Sequence, residues 1–145
     1  MSDSHAQAGR YPDPGLKRPN KTDWARVVKK GFKSDGSSCS TDTIFGVRIG
    51  VTSSKHHPDL PANVHDYRYF CGGLLGARLV ADLEYLHGCI RCTDAGLTGF
   101  AAILRPAARF RARRRFHILR QFGHVAWANH RKAGHRGPPP KGDLW

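Results

Sequence analysis

The residues with the clearest chemical potential are His65 and Asp66, which follow one another, and Tyr69, four positions after the histidine. Residues four apart lie on one face of a helix, so His65 and Tyr69 would share a face. Asp66 would lie about 100° around the same helix, at the mouth of the same cleft. Because imidazole takes up and releases protons near neutral pH, His65 is a candidate general base.

A carboxylate further along the chain, Asp82, completes this candidate group. Two antiparallel helices joined by a turn at Gly72-Gly73 would bring Asp82 opposite His65. The carboxylate would then hold one imidazole nitrogen and leave the other to take a proton. The alternative is a purely structural histidine, with Asp66 paired to Arg68 or Arg78.

Asp66 is also a candidate ligand for a metal ion. Ca²⁺ is bound by oxygen atoms, including carboxylates and the backbone carbonyls of flexible loops. The best upstream loop covers residues 34–40 and contains Gly36 and Ser38. The resulting hypothesis is a Ca²⁺ site formed by Asp66, Gly36 and Ser38.

The hydrophobic pattern predicts a mainly α fold: two antiparallel helices carrying the His-Asp site, a third basic helix, and flexible termini. A short helix over 24–32 would be capped by Thr22 or Asp23. A β-branched stretch at 43–51 predicts a short strand or extended loop. The predicted longer helices run from Asp59 to Phe70 or Cys71, over 75–92, and through 97–104 to about 128 with a kink or restart at Pro106.

The length of 145 residues indicates one domain, divided by composition into a flexible N-terminal arm at 1–22, a helical domain at 23–130 and a basic, Pro-rich tail at 131–145. The net charge of +13 predicts an anionic partner. We find no run of 18 apolar residues, so no membrane-spanning segment is expected. The polar residues 1–10 lack the apolar stretch of a secretory signal peptide.

Seven arginines fall among the 16 residues from 105 to 120. This density favours contact with an anionic surface over a merely solvated helix face. The surface is either nucleic acid, where each neutralised phosphate releases a counterion, or anionic phospholipid. The residues assigned to it are Arg109, Arg111, Arg113, Arg114 and Arg115.

The segment Pro61-Ala62-Asn63-Val64-His65-Asp66-Tyr67-Arg68-Tyr69, followed by Gly72-Gly73 and Ala81-Asp82-Leu83-Glu84-Tyr85, resembles the phospholipase A2 superfamily. It looks most like the minimal, disulfide-poor forms in parvovirus minor capsid proteins and small phage or prophage proteins, over about residues 35–92. The resemblance implies that His65 activates water, Asp82 orients His65, Tyr69 supports them and Asp66 binds Ca²⁺. The implied reaction is hydrolysis of the sn-2 ester of a glycerophospholipid.

The chain departs from the secreted animal members of that superfamily at two places. Pro61 and Arg68 stand where those enzymes have cysteines, and the segment 35–39 lacks the alternating Gly and Cys of their calcium loop. A catalytically silent structural or nucleic-acid-binding virion protein of the same fold is therefore the alternative. Either function would be exercised in a virion or the host cytoplasm. The tail at 131–145, which ends in Trp145, is a candidate docking peptide for other virion proteins.

Overall fold

The computed structural model describes residues 12–33, 43–44, 47–48, 61–73 and 76–132. It is mainly helical, which confirms the predicted fold class at that level. The elements in chain order are α1 (Lys21–Lys29), β1 (Thr43–Ile44), β2 (Val47–Arg48), α2 (Pro61–Cys71), α3 (Ala77–Gly96), a 3-10 helix (Gly99–Leu104) and α4 (Arg105–Lys132). The proposed calcium loop at 34–40 lies outside the described residues. So do residues 1–11 of the predicted arm, Asp59, and residues 133–145 of the predicted tail.

Helix α1 begins three residues earlier than predicted because its cap is Asn20, so the prediction of Thr22 or Asp23 as cap was wrong. The Asn20 side chain accepts a hydrogen bond of 2.9 Å from the Asp23 backbone N–H. The Asp23 carboxylate accepts one of 3.0 Å from the Asn20 N–H. This reciprocal capping box satisfies two backbone donors at once, which favours the earlier start.

The extended stretch and α2 follow the sequence prediction closely. Strands β1 and β2 lie within 43–51 and pair antiparallel, with Thr43 opposite Arg48 and Ile44 opposite Val47. Helix α2 ends at Cys71, immediately before Gly72-Gly73. The next helix, α3, runs to Gly96 rather than to the predicted residue 92.

The end of α3 and the start of α4 are tied together by Arg105. Its guanidinium donates to the Leu97 carbonyl at 2.9 Å and to the Asp94 carbonyl at 3.1 Å. The Asp94 carbonyl belongs to the last turn of α3, whose oxygens have no partner within the helix, and Leu97 is the residue that follows that turn. Pro106 occupies the first turn of α4, where a missing N–H costs little, so the helix restarts there as predicted.

The main core lies between α2, α3 and α4. Its buried members are Ala62, Leu83, Tyr85, Leu86, Cys89, Ala112 and Phe116. A Cβ on Gly88 of α3 would lie 3.0 Å from the Pro61 ring, so glycine allows the first turn of α2 to approach α3 closely. A second cluster joins α1 to α2 through Trp24, Val27, Phe32, Tyr67 and Phe70.

In the described part of the chain, the structure contains no helix with both the length and the apolar character needed to cross a membrane.

Candidate active site

His65, Tyr69 and Asp82, the three residues proposed for catalysis, are in direct contact. Nε2 of His65 lies 2.8 Å from Oδ1 of Asp82. The Tyr69 hydroxyl donates a hydrogen bond of 2.7 Å to the same oxygen. Asp82 is completely buried, and His65 is 5% exposed. One carboxylate oxygen on α3 therefore receives two side chains from α2.

The imidazole of His65 is held between two tyrosine rings. Its centroid lies 4.2 Å from that of Tyr69 and 5.2 Å from that of Tyr85. Trp127 of α4 packs edge-on against Tyr69, with centroids 5.1 Å apart. Because Asp82 accepts at Nε2, a neutral His65 carries its proton there and its lone pair on Nδ1.

The second oxygen of Asp82 faces two arginines that the sequence interpretation did not place there. Arg120 of α4 donates to Oδ2 at 2.8 Å, and the guanidinium of Arg78 lies 3.7 Å away. Arg78 is fully buried and also donates to the backbone carbonyls of Leu119 and Arg120. The carboxylate is therefore held by groups from α2, α3 and α4.

The two arginines differ in how far sequence could have revealed them. Arg78 precedes Asp82 by four residues on one helix. This spacing favours an ion pair, so the sequence alone could have predicted the contact. Arg120 is 38 residues from Asp82 and was assigned to the basic run on α4. No local pattern distinguishes it from the surface arginines beside it.

The electrostatic environment keeps Asp82 ionised and Tyr69 neutral. Burial alone would raise the pKa of Asp82, but hydrogen bonds from His65, Tyr69 and Arg120 hold that pKa below its ordinary value. Burial, followed by the negative charge of Asp82, raises the pKa of Tyr69 far above its ordinary value. Asp82 is therefore an acceptor and Tyr69 a donor across the physiological range.

The Tyr69 hydroxyl also lies directly against the backbone of α4. A Cβ atom built on Gly123 would stand 2.6 Å from that hydroxyl oxygen, which is closer than such contacts allow. Glycine at position 123 thus provides the space that lets Tyr69 reach Asp82. No local pattern in the sequence marks Gly123 as part of the site.

Asp66, the proposed metal ligand, is partly buried on α2. Its proposed partners Gly36 and Ser38 fall in the loop that lies outside the described residues. Among the residues that the structure does describe, no three His, Cys, Asp or Glu side chains cluster as metal ligands. A carboxylate beside His65 is the oxygen donor that Ca²⁺ prefers, so Asp66 fits that ion by its chemistry.

Arg68, considered above as a partner for Asp66, pairs instead with Glu84 of α3. Its Nε atom lies 2.8 Å from Oε2 and its Nη2 atom 3.0 Å from Oε1, a bidentate geometry. Nη2 also donates to the Lys17 carbonyl at 2.9 Å. The hydrogen bond to Glu84 raises the pKa of Arg68. Arg68 therefore fastens α2 to α3 and to the segment before α1.

The arginines assigned to an anionic surface are distributed unevenly around α4. Arg109 forms a two-bond ion pair with Asp94 of α3, at 2.8 and 3.1 Å. Arg111 and Arg114 are exposed, whereas Arg113 and Arg115 are partly buried. Arg109 thus also serves the packing of α4 on α3, and Arg111 and Arg114 are the most accessible of the set.

No protein-family model, curated protein or solved structure matches this chain.

Proposed function

We propose that this protein is a calcium-dependent hydrolase of the phospholipase A2 type, acting on the sn-2 ester of glycerophospholipids. The observation that carries the proposal is the buried Asp82 carboxylate, which bonds His65 and Tyr69 through one oxygen. A carboxylate on one imidazole nitrogen fixes the ring and stabilises the imidazolium formed when the other nitrogen takes a proton. The resemblance of the 61–85 segment to that superfamily supplies the reaction class.

In the proposed reaction, Nδ1 of His65 removes a proton from a water molecule as its oxygen attacks the ester carbonyl. Asp82 stabilises the imidazolium, and Tyr69 keeps the carboxylate aligned. Collapse of the tetrahedral intermediate breaks the bond to the glycerol oxygen, which receives the proton from His65. The products are a fatty acid and a lysophospholipid.

Arg78 and Arg120 tune this arrangement, since both lie against Asp82. Together with His65 and Tyr69, the hydrogen bond from Arg120 holds the pKa of Asp82 below its ordinary value, which keeps the carboxylate ionised. For the cation, we propose Asp66 with the carbonyls of Gly36 and Ser38 as ligands. When bound there, Ca²⁺ would supply Lewis-acid stabilisation of negative charge on phosphate and ester oxygens.

The enzymatic proposal is tested by release of free fatty acid from phospholipid vesicles with and without Ca²⁺. His65→Gln removes the base and should lower the rate about 10²- to 10⁴-fold. The matched control is His117→Gln, which changes an exposed histidine on α4 and should leave the rate unchanged. Full activity in His65→Gln would exclude the mechanism.

The calcium proposal has its own measurement. Calorimetric titration with Ca²⁺ should give binding heat for the wild-type protein and none for Asp66→Asn. A control substitution, Asp13→Asn, changes a carboxylate that is ion-paired to Arg91 on the surface. Equal calcium binding by the wild type and Asp66→Asn would remove Asp66 from the site.

A second candidate function is nucleic-acid binding by a catalytically silent protein of the same fold. It is favoured by the exposed Arg111 and Arg114 on a helix whose sequence contains no acidic residue. Such binding should weaken steeply as salt rises, because each phosphate contact releases a counterion. DNA binding that is undetectable or insensitive to salt would count against this candidate.

We further propose that the protein acts in a virion or the host cytoplasm, and that the tail at 131–145 contacts other virion proteins. The motivation is the Pro-rich spacer that ends in Trp145. Deleting residues 131–145 should abolish the capture of virion proteins in a pull-down. Unchanged capture would remove the tail from that role.

A further inference from the structure

The 3-10 helix and α4 carry a set of large apolar side chains that the fold leaves in solvent. The exposed fractions are 102% for Phe100, 81% for Ile103, 65% for Phe110, 47% for Ile118, 66% for Phe122 and 55% for Val125. Single exposed apolar residues are ordinary on protein surfaces. Six within 26 consecutive residues (100–125) indicate a surface with a partner.

On α4 these exposed side chains lie on the face opposite the core. The buried face is formed by Ala108, Ala112, Phe116 and Trp127. The exposed residues Phe110, Ile118, Phe122 and Val125 are separated by eight, four and three residues, which places them on one side of a helix. A helix packed on a domain normally has a polar outer face, so this second apolar stripe is not required for folding.

The 3-10 helix extends this apolar surface beyond the start of α4. Phe100 and Ile103 are three residues apart, which places them on one edge of a 3-10 helix. Ala101 and Leu104 point the other way and pack on Leu97 and Ala108. Two of the most exposed apolar side chains therefore project together from a segment whose opposite edge is anchored in the fold.

Positive charge is interleaved with the apolar side chains. Arg111, Arg114 and Arg115 line a shallow depression together with Ile118. The 28 residues of α4 include eight arginines, and the helix contains no Asp or Glu. Arginine can lay its apolar stem along an apolar surface and raise its guanidinium to phosphates, so the two residue types are compatible at one interface.

We propose that this outer surface docks on an anionic phospholipid bilayer. It is defined by Phe100, Ile103, Phe110, Arg111, Arg114, Ile118, Phe122 and Val125. Its apolar side chains enter the boundary between headgroups and acyl chains, and its arginines contact lipid phosphates. The docking does not require catalysis by His65.

The combination of residues favours lipid over the other polyanions and over a second copy of the chain. Nucleic-acid phosphates would engage the arginines but give no burial to exposed Ile103, Ile118 and Val125. A second copy would bring two faces of the same positive charge together. A bilayer with anionic headgroups satisfies the charged and the apolar groups at once.

The test is flotation of the full chain with phosphatidylcholine vesicles that contain or lack phosphatidylserine. The wild type should float with the anionic vesicles only. Phe100→Ser with Ile103→Ser should weaken binding about tenfold or more, because two inserted side chains are lost. Arg111→Gln with Arg114→Gln should weaken it about fivefold per charge and reduce its salt sensitivity. His65→Gln should bind like the wild type, so a failed hydrolase proposal is distinguished from failed docking.

Matched controls change the same residue types elsewhere. Val28→Ser alters an exposed apolar residue on α1, and Arg26→Gln removes an exposed charge there. Both should bind vesicles like the wild type, and all variants should keep the wild-type helical circular dichroism. Vesicle binding unchanged by the Phe100/Ile103 variant would overturn the proposal. So would binding to duplex DNA without binding to vesicles, or a stable dimer that this variant dissociates.

Discussion

At the scale of single residues, Asp82 is the centre of the candidate site. Its two oxygens receive His65, Tyr69 and Arg120, and Arg78 lies within ion-pair distance. A fully buried carboxylate is stable only when its charge is compensated and its oxygens are bonded. The groups that would orient a catalytic histidine are thus also groups that the fold needs.

We expect Asp82→Asn to destabilise the protein by about 3–5 kcal/mol, the typical effect of removing one partner from a buried ion pair. The loss arises because Arg78 and Arg120 would keep their charges in the interior without the carboxylate. Chemical denaturation of both proteins gives the difference. The control is Asp13→Asn at the exposed ion pair with Arg91, which should cost under about 1 kcal/mol. If both substitutions lower the free energy of unfolding by the same small amount, the contacts of Asp82 contribute little to stability.

The pH dependence of that difference has a defined sign. Because the pKa of Asp82 is lowered in the folded protein, its contribution is fully present above the unfolded pKa of about 3.9. The contribution is lost as pH falls through the lower, folded pKa. The stability gap between wild type and Asp82→Asn should therefore shrink as the pH falls below about 4. A gap that keeps its size below that pH contradicts this assignment.

At the scale of elements, α4 is part of the candidate site and not only a basic surface. Its inner face supplies Arg120 to Asp82 and Trp127 to the Tyr69 ring. Its backbone at Gly123 lies against the Tyr69 hydroxyl. Helices α2 and α3 are joined separately by the bidentate pair of Arg68 and Glu84. A small shift of α4 should therefore alter the contact between His65 of α2 and Asp82 of α3.

Gly123→Ala tests that link. The added methyl group would overlap the Tyr69 hydroxyl and push it from Asp82, an overpacking cost of about 1–3 kcal/mol. The higher helix propensity of alanine offsets this loss of stability by about 1 kcal/mol at most. We expect a net loss of stability on denaturation and a lower rate of fatty-acid release. Gln121→Ala, at an exposed position two residues earlier, should change neither. If the Gly123→Ala protein is as stable as the Gln121→Ala protein, Tyr69 can move away from position 123 without loss of stability.

At the scale of the whole molecule, the segment that resembles phospholipase A2 does not contain the complete core. That segment ends near residue 92, whereas Ala112 and Phe116 of α4 complete the main cluster. Trp127 also packs in a smaller cluster with Tyr69 and Ala81. The excess positive charge is concentrated on the same helix, so α4 joins the core on one side and presents the proposed docking surface on the other.

We expect a chain truncated after residue 104 to lose cooperative unfolding, because it keeps α2 and α3 but exposes their packed faces and leaves Asp82 without Arg120. A chain truncated after residue 132 keeps α4 and should unfold like the full-length protein. Circular dichroism during thermal unfolding compares the two. A cooperative transition in the shorter chain would show that α4 is dispensable to the fold.

The sequence alone determined the helical class, the C-terminal end of α2 and the restart of the chain near Pro106, because periodicity, helix-ending glycines and proline act over a few positions. It also selected His65, Tyr69 and Asp82, since their types and spacing suit proton transfer. Tertiary structure alone decided that Arg120 contacts Asp82 and that Gly123 makes room for Tyr69. It also separated the inner arginines from the exposed Arg111 and Arg114. Those contacts join residues tens of positions apart, and α4 carries apolar side chains on two faces, so its periodicity alone does not tell which face turns toward the core.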